Sequence, residues 1–250
     1  MASVVSQRIR SIPPSGLVRF FDILSTMDDV LSLGIGEPDM PTPAPICEAA
    51  MDSMRRGQTG YTSNAGILAL RQQIAAHLAE QYNVHYDPES EILVTVGVSE
   101  ALHAAMLALM DSGESALVPE PCFVSYDPCV RLADAIPLPV PTYAQDGFQV
   151  TGAQLAQAIQ PHTKVLLLSY PNNPTGAVMD REHMLQVARL AQERGLIVIS
   201  DEIYDRFVYG VEHICFASLP GMWERTVLLG GFSKSYAMTG WRIGFAAAPE

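Results

Sequence analysis

Two runs in this sequence carry no polar alternation: KVLLLS at 164–169 and LIVIS at 196–200. A strand with one wet face alternates apolar and polar residues, because successive side chains point to opposite sides of the sheet. These runs do not, so both of their faces must be buried. That is the condition of a parallel sheet covered by helices on each side. Shorter runs at Glu91–Val96, Ser115–Pro119, Ile136–Val140, Thr226–Gly230 and Arg242–Ala248 bring the candidate strands to seven. Helical spacing falls between them. Asn64–Tyr82 places Ile67, Leu70, Ile74 and Leu78 on one side, and Ser99–Met110 does the same with Leu102, Ala105, Met106 and Leu109. Arg181–Arg194 reads as a helix stopped by Gly195. The expected fold is α/β, three layers (α/β/α) around a mostly parallel seven-stranded sheet.

Upstream of this pattern, residues 1–45 contain Pro13, Pro14, Pro38, Pro41, Pro43 and Pro45, which interrupt any long element. They read as an irregular arm that lies over something else, with a folded domain over 46–250. The domain has the material for a core: of 250 residues, 48% are hydrophobic and only 17% charged, which excludes a disordered chain. A formal net charge of −12 supplies no cationic footprint for a phosphate backbone, so no nucleic acid partner is expected. No apolar run approaches the roughly 18 residues of a bilayer span, and Met1–Gly16 has no apolar signal core. The expectation is a cytoplasmic protein without a membrane partner. Cys47, Cys122, Cys129 and Cys215 form no CxxC pair and have no histidine at metal spacing. They read as reduced, buried thiols, and no metal site is expected.

In open α/β sheets, ligands bind beyond the carboxyl ends of the strands. The residues that follow the strands here are polar, small or ionisable. Gly97-Val98-Ser99 opens a helix, whose free N–H groups and positive dipole end make a phosphate seat, with Arg242 as a bidentate partner. Tyr170-Pro-Asn-Asn-Pro-Thr-Gly176 follows one strand and Asp201-Glu-Ile-Tyr204 the next. The chain has only two lysines. Lys164 starts a strand with its head in solvent. Lys234 follows Gly230-Gly-Phe-Ser among small neighbours, where a desolvated amine becomes nucleophilic. Asp201 at a buried strand end requires a cation or an N–H donor, which a protonated ring nitrogen provides. Taken singly, each has a plainer reading: Asp201 as a helix cap, the Asn-Asn-Pro-Thr-Gly run as a turn, Tyr204 and Phe123 as core, Arg242 as a surface charge. Taken together, a phosphate seat, an aldehyde-reactive lysine and a carboxylate for a ring nitrogen describe a site for pyridoxal 5′-phosphate.

The segment GFSKSYAMTGWRIG, 231–244, resembles the lysine-attachment motif of the class I/II aminotransferases, which are fold-type I pyridoxal phosphate enzymes. YPNNPTG at 170–176, SDEIY at 200–204, VGVSEAL at 96–102 and LGIGEP at 33–38 resemble four further elements of that family, in the family's order and spacing. The resemblance implies an aminotransferase that moves an amino group between an L-amino acid, aspartate-like or aromatic, and a 2-oxo acid. It implies that Lys234 forms the cofactor aldimine and shuttles a proton, and that Asp201 holds the ring nitrogen protonated. Tyr204 and Asn173 would hydrogen-bond the phenolic oxygen and Phe123 would stack on the ring. Val98, Ser99, Ser233 and Arg242 would hold the phosphate, and Tyr61 would reach the phosphate of a neighbouring subunit, so a homodimer is implied. Gly36, with Asn173, would lie against the substrate. The resemblance also implies that the C-terminal small domain, with the arginine that clamps the substrate α-carboxylate, is absent from this chain, and that 1–45 supplies only part of that domain.

Three other readings compete. A lyase or decarboxylase of the same fold would share the cofactor site. A catalytically incomplete fragment would bind cofactor without turnover. A phosphate-loop ATPase would need Gly directly before the lysine and another five positions earlier, where this chain has Ser233 and Leu228.

Overall fold

The computed structural model describes residues 4–13, 23, 26–27, 29–30, 34 and 36–250. Seven strands form one sheet: β1 (Ile92–Thr95), β2 (Ser115–Glu120), β3 (Ile136–Pro141), β4 (Thr163–Ser169), β5 (Ile197–Asp201), β6 (Thr226–Gly231) and β7 (Gly244–Ala247). Their spatial order is β1-β7-β6-β5-β4-β2-β3. All neighbours are parallel except β7, which runs antiparallel to both β1 and β6. The helices described are α1 (Gln7–Arg10), α2 (Ala44–Arg55), α3 (Leu68–Tyr82), α4 (Gly97–Leu109), α5 (Tyr126–Leu132), α6 (Gly152–Ala158) and α7 (Arg181–Arg194). The expected three-layer, mostly parallel architecture is what the chain adopts.

The buried faces explain the missing alternation. Leu166 and Leu168 of β4 pack with Met184, Val187 and Ala191 of α7 on one side of the sheet. Val165 and Leu167 pack with Leu102 and Met106 of α4 and Tyr126 and Val130 of α5 on the other. A third cluster joins Ile74 and Leu78 of α3 to Ile92, Leu228 and Phe245. Fully burying an aliphatic side chain is worth roughly 1.5–3 kcal/mol, so β4 draws stability from both faces.

Several boundaries differ from the sequence reading for local reasons. The helix expected from Asn64 begins at Leu68, because Gly66 adopts φ +96° and Ile67 is extended. The strand expected from Arg242 begins at Gly244, because Arg242 is left-handed at φ +57°. Helix α7 matches its expected ends: Asp180 accepts from the His183 N–H at 2.9 Å, and Gly195 closes it at φ +65°. Helix α2 has no buried residue and α5 and α6 span only seven residues each, so none shows a readable apolar period. Cys129 and Cys215 are buried as expected, but Cys47 and Cys122 are only half-buried. Lys164 does not hold its head free in solvent; it pairs with Glu114 at 3.1 Å. Of the arm, Leu33 and Ile35 lie outside the described residues.

One close approach seats the ligand-binding end of the sheet. A Cβ at Gly244 would stand 2.5 Å from the Gly97 carbonyl carbon and 2.6 Å from the Val98 nitrogen. Strand β7 therefore touches the first turn of α4 backbone to backbone. Gly244→Ala should push the two apart and cost about 1–3 kcal/mol, as overpacking does. Denaturant unfolding of the variant against the parent checks this.

Candidate active site

The parallel strands deliver their carboxyl ends to one edge. Ser169 of β4 is level with Asp201 of β5, which is level with Leu229 of β6. Beyond these ends lies a cleft of about 580 Å³. Ten of the sequence-expected residues line it: Gly36, Val98, Ser99, Phe123, Asn173, Asp201, Tyr204, Ser233, Lys234 and Arg242. The eleventh, Tyr61, does not; its side chain is fully exposed on the surface.

Each wall follows from local structure. Helix α4 starts at Gly97 with no side chain capping its first turn. Its leading N–H groups are therefore offered to the cleft. The Arg242 guanidinium sits over Gly97 so closely that a Cβ there would collide with it. Arg242 Nη1 donates to the Thr239 carbonyl at 3.0 Å and reaches Ser233 Oγ at 3.5 Å. After β4, Asn172 rather than Asn173 builds the turn. Its Oδ1 accepts from Thr175 N and Oγ1 at 3.2 and 2.8 Å, and its Nδ2 donates to the Pro121 carbonyl at 3.3 Å. That ties the turn to the segment carrying Phe123 and leaves Asn173 in the cleft lining with Tyr204.

Lys234 donates to the Gly36 carbonyl at 2.6 Å, and its Nζ lies 5.6 Å from the centre of the Tyr204 ring. Burial lowers its pKa, the Glu37 carboxylate opposes that, and the Arg242 guanidinium adds to the lowering. The amine is thereby moved toward its nucleophilic form. Burial raises the Tyr204 pKa, the Asp201 charge adds to the rise, and the Asn173 contact works against it.

Asp201 is the most constrained group. It is 5% exposed, and among the described residues no cation is paired with it. Its Oδ2 accepts from the Tyr126 hydroxyl at 2.8 Å and its Oδ1 from the Ile203 N–H at 3.2 Å. Burial pushes its pKa up to about 6; those two donors oppose the rise and neighbouring Glu202 adds to it. The sequence reading missed Tyr126. It sits three residues after Phe123 on the short helix α5, meets the Phe123 ring edge-on at 5.7 Å, and is fully buried. Its only signal was position in the segment that carries Phe123.

The family described as aminotransferase class I and II matches residues 28–250. The chain belongs to that family. It is 46% identical over its whole length to a putative aminotransferase of Bacillus subtilis (strain 168), covering 65% of that protein. It is 45% identical to an aspartate aminotransferase of Pyrococcus abyssi, over 98% of this chain and 64% of the relative. Among solved structures, an aspartate aminotransferase from Thermus thermophilus with maleate superposes with a TM-score of 0.93 at 36% identity, over 99% of this chain and 65% of the other. The fold is thus that of the fold-type I aminotransferases. The chain spans about 64% of the length of the curated relatives it matches. The family's enzymes depend on pyridoxal 5′-phosphate.

The residues present fit that group. A buried carboxylate without a cation suits a protonated ring nitrogen, an uncapped helix start beside an arginine suits a phosphate, and a half-buried amine suits an aldehyde.

Asp201 also leaves a mark on the cofactor-free protein. Its folded pKa lies above the usual 3.8, so the folded state binds more protons than the unfolded state between 3.8 and about 6. Its contribution to stability therefore falls as pH rises through that window, by roughly 3 kcal/mol. Asp201→Asn should remove this slope. Melting temperatures of the two cofactor-free proteins from pH 4 to 7 should diverge, with the asparagine variant gaining as pH rises.

Proposed function

We propose that this chain is the cofactor-binding part of a pyridoxal phosphate-dependent aminotransferase. It acts on an L-amino acid, aspartate-like or aromatic, and a 2-oxo acid, in the cytoplasm and as a homodimer. The observation that carries the reading is one cleft lined by both the half-buried Lys234 amine and the cation-free Asp201 carboxyl. Relatives named as aspartate aminotransferase and aromatic-amino-acid aminotransferase support the two donor classes. Residues 46–250 form the large cofactor domain in this reading, and 1–45 the arm with part of the small domain.

Bound pyridoxal phosphate would supply an aldehyde that condenses with amines and a ring that accepts electrons from the substrate α-carbon. The remaining work falls to the chain. The Val98 and Ser99 N–H groups, with Ser233 and Arg242, hold the phosphate at the start of α4. Asp201 keeps a proton on the ring nitrogen, and its burial excludes water from that contact. Tyr204 and Asn173 donate to the phenolic oxygen beside the aldehyde. Phe123 lies against the ring, and Gly36 and Asn173 border the substrate. Lys234 would hold the cofactor through its amine and, when that amine is free, would take and return the substrate α-proton as general base and acid. Tyr61, fully exposed on this chain, would reach the phosphate held by the second subunit.

Borohydride reduction in the presence of pyridoxal phosphate should label Lys234, read by peptide mass spectrometry. Lys234→Ala should abolish the label and any amino transfer from aspartate or an aromatic amino acid to 2-oxoglutarate. Labelling confined to Lys164, or undiminished in the variant, would refute the assignment.

A further inference from the structure

We propose that Tyr126 is a positioning residue, whose hydroxyl fixes the Asp201 carboxylate for the ring nitrogen of the cofactor. The proposal rests on the cofactor reading above. The two Asp201 oxygens are held by donors from two different elements. Oδ1 accepts the Ile203 N–H at 3.2 Å, from the turn that follows β5. Oδ2 accepts the Tyr126 hydroxyl at 2.8 Å, from α5 on the other side of the cleft floor. A carboxylate offers about four acceptor positions, and a carboxylic acid must surrender one to its own proton. Donors on both oxygens therefore favour the ionised, acceptor-only form, with lone pairs left for one further N–H. The phenol is 1% exposed and cannot exchange this bond for water. The ring meets Phe123 edge-on at 5.7 Å and 82°, so one side chain braces two groups that line the cleft.

Tyr126→Phe keeps the ring, its volume and the Phe123 contact, and deletes only the hydroxyl. A hydrogen bond to a charged group is worth enough that pyridoxal phosphate should bind about tenfold or more weakly, by equilibrium titration. In an Asp201→Ala background the same substitution should change affinity less than about twofold, because the acceptor of its hydroxyl is gone. A second readout needs no cofactor. In Y126F the fall of stability with pH that Asp201 causes should extend to higher pH than in the parent. The other titratable groups facing this pair, Glu202, Tyr204 and Cys122, are the same in both proteins. A hydroxyl that merely filled the core would lower stability equally at every pH and weaken binding equally in both backgrounds. That result, or parent-like affinity in Y126F, would overturn the proposal. A parent protein that takes up no pyridoxal phosphate at all would overturn the cofactor reading and this one with it.

Discussion

The Asp201 carboxyl sits at the carboxyl end of a strand buried on both faces, with two hydrogen-bond donors and no cation among the described residues. Burying a charge is expensive unless it is paired, and the group meets that expense by holding its proton more tightly. The arrangement costs the free protein stability at neutral pH, and nothing in the packing of the core requires it. A ligand that brings its own proton on a ring nitrogen turns the cost into binding energy. In the proposed reading the surrounding structure serves that exchange: apolar strands create the dry site, Tyr126 and Ile203 donate to the carboxylate, and Phe123 packs against Tyr126.

The remaining walls depend on the reversal of one strand. Because β7 runs antiparallel, the chain leaves the ligand end of β6 at Gly231, carries Ser233 and Lys234 across the cleft, and re-enters at Gly244 beside the start of α4. The Lys234 amine and the Arg242 guanidinium, which have different tasks in the proposed reading, are thereby supplied by one loop. Gly244 makes this possible by letting β7 meet the Gly97–Val98 backbone, and Gly97 by leaving room for the Arg242 guanidinium, where a Cβ would collide. The same loop is laced to the arm: Thr42 Oγ1 donates to the Ala237 carbonyl at 2.5 Å, Thr239 Oγ1 to Glu37 at 3.1 Å, and Trp241 Nε1 to Thr42 at 3.0 Å. The described arm residues Glu37 and Thr42 are thus tied to the loop that carries Lys234.

Strands and site were largely legible in the sequence because two physical signals coincide there. Buried parallel strands lose their alternation, and the residues that line the cleft follow them directly, so KVLLLS and LIVIS pointed at both the sheet and its cleft. What escaped lacks such a signal. Helix α2 has no fully buried residue, and α5 is too short for a period to repeat. Tyr126 escaped with α5, since its role depends on a bond across 75 positions that no local pattern encodes. The left-handed turn at Arg242 was missed for a related reason: φ +57° is uncommon for a side chain other than glycine or asparagine, and here contacts from Thr239, Ser233 and Gly97 surround the guanidinium.

The adjacent carboxyls of Asp201 and Glu202 show how far position along a strand decides chemistry. Both are 5% exposed. Alternation sends them to opposite sides of the sheet, one to the cleft and the other to the packing side. There Glu202 meets His213 at 2.6 Å, the Ser200 hydroxyl at 2.8 Å and the Phe216 N–H at 2.9 Å. Burial alone would lower the His213 pKa, but the Glu202 carboxylate outweighs it and the net shift is upward. That pair stabilises the fold below the ordinary histidine pKa and loses its contribution as pH rises through the raised one. Asp201 pulls stability down over a lower window. The same two acidic letters thus serve opposite ends: Glu202 is paired with His213 and anchors the segment 213–216 behind the strand end, while Asp201 is held by two donors and no cation among the described residues. A site that keeps one charge waiting for a ligand needs a neighbour whose partners are already in place.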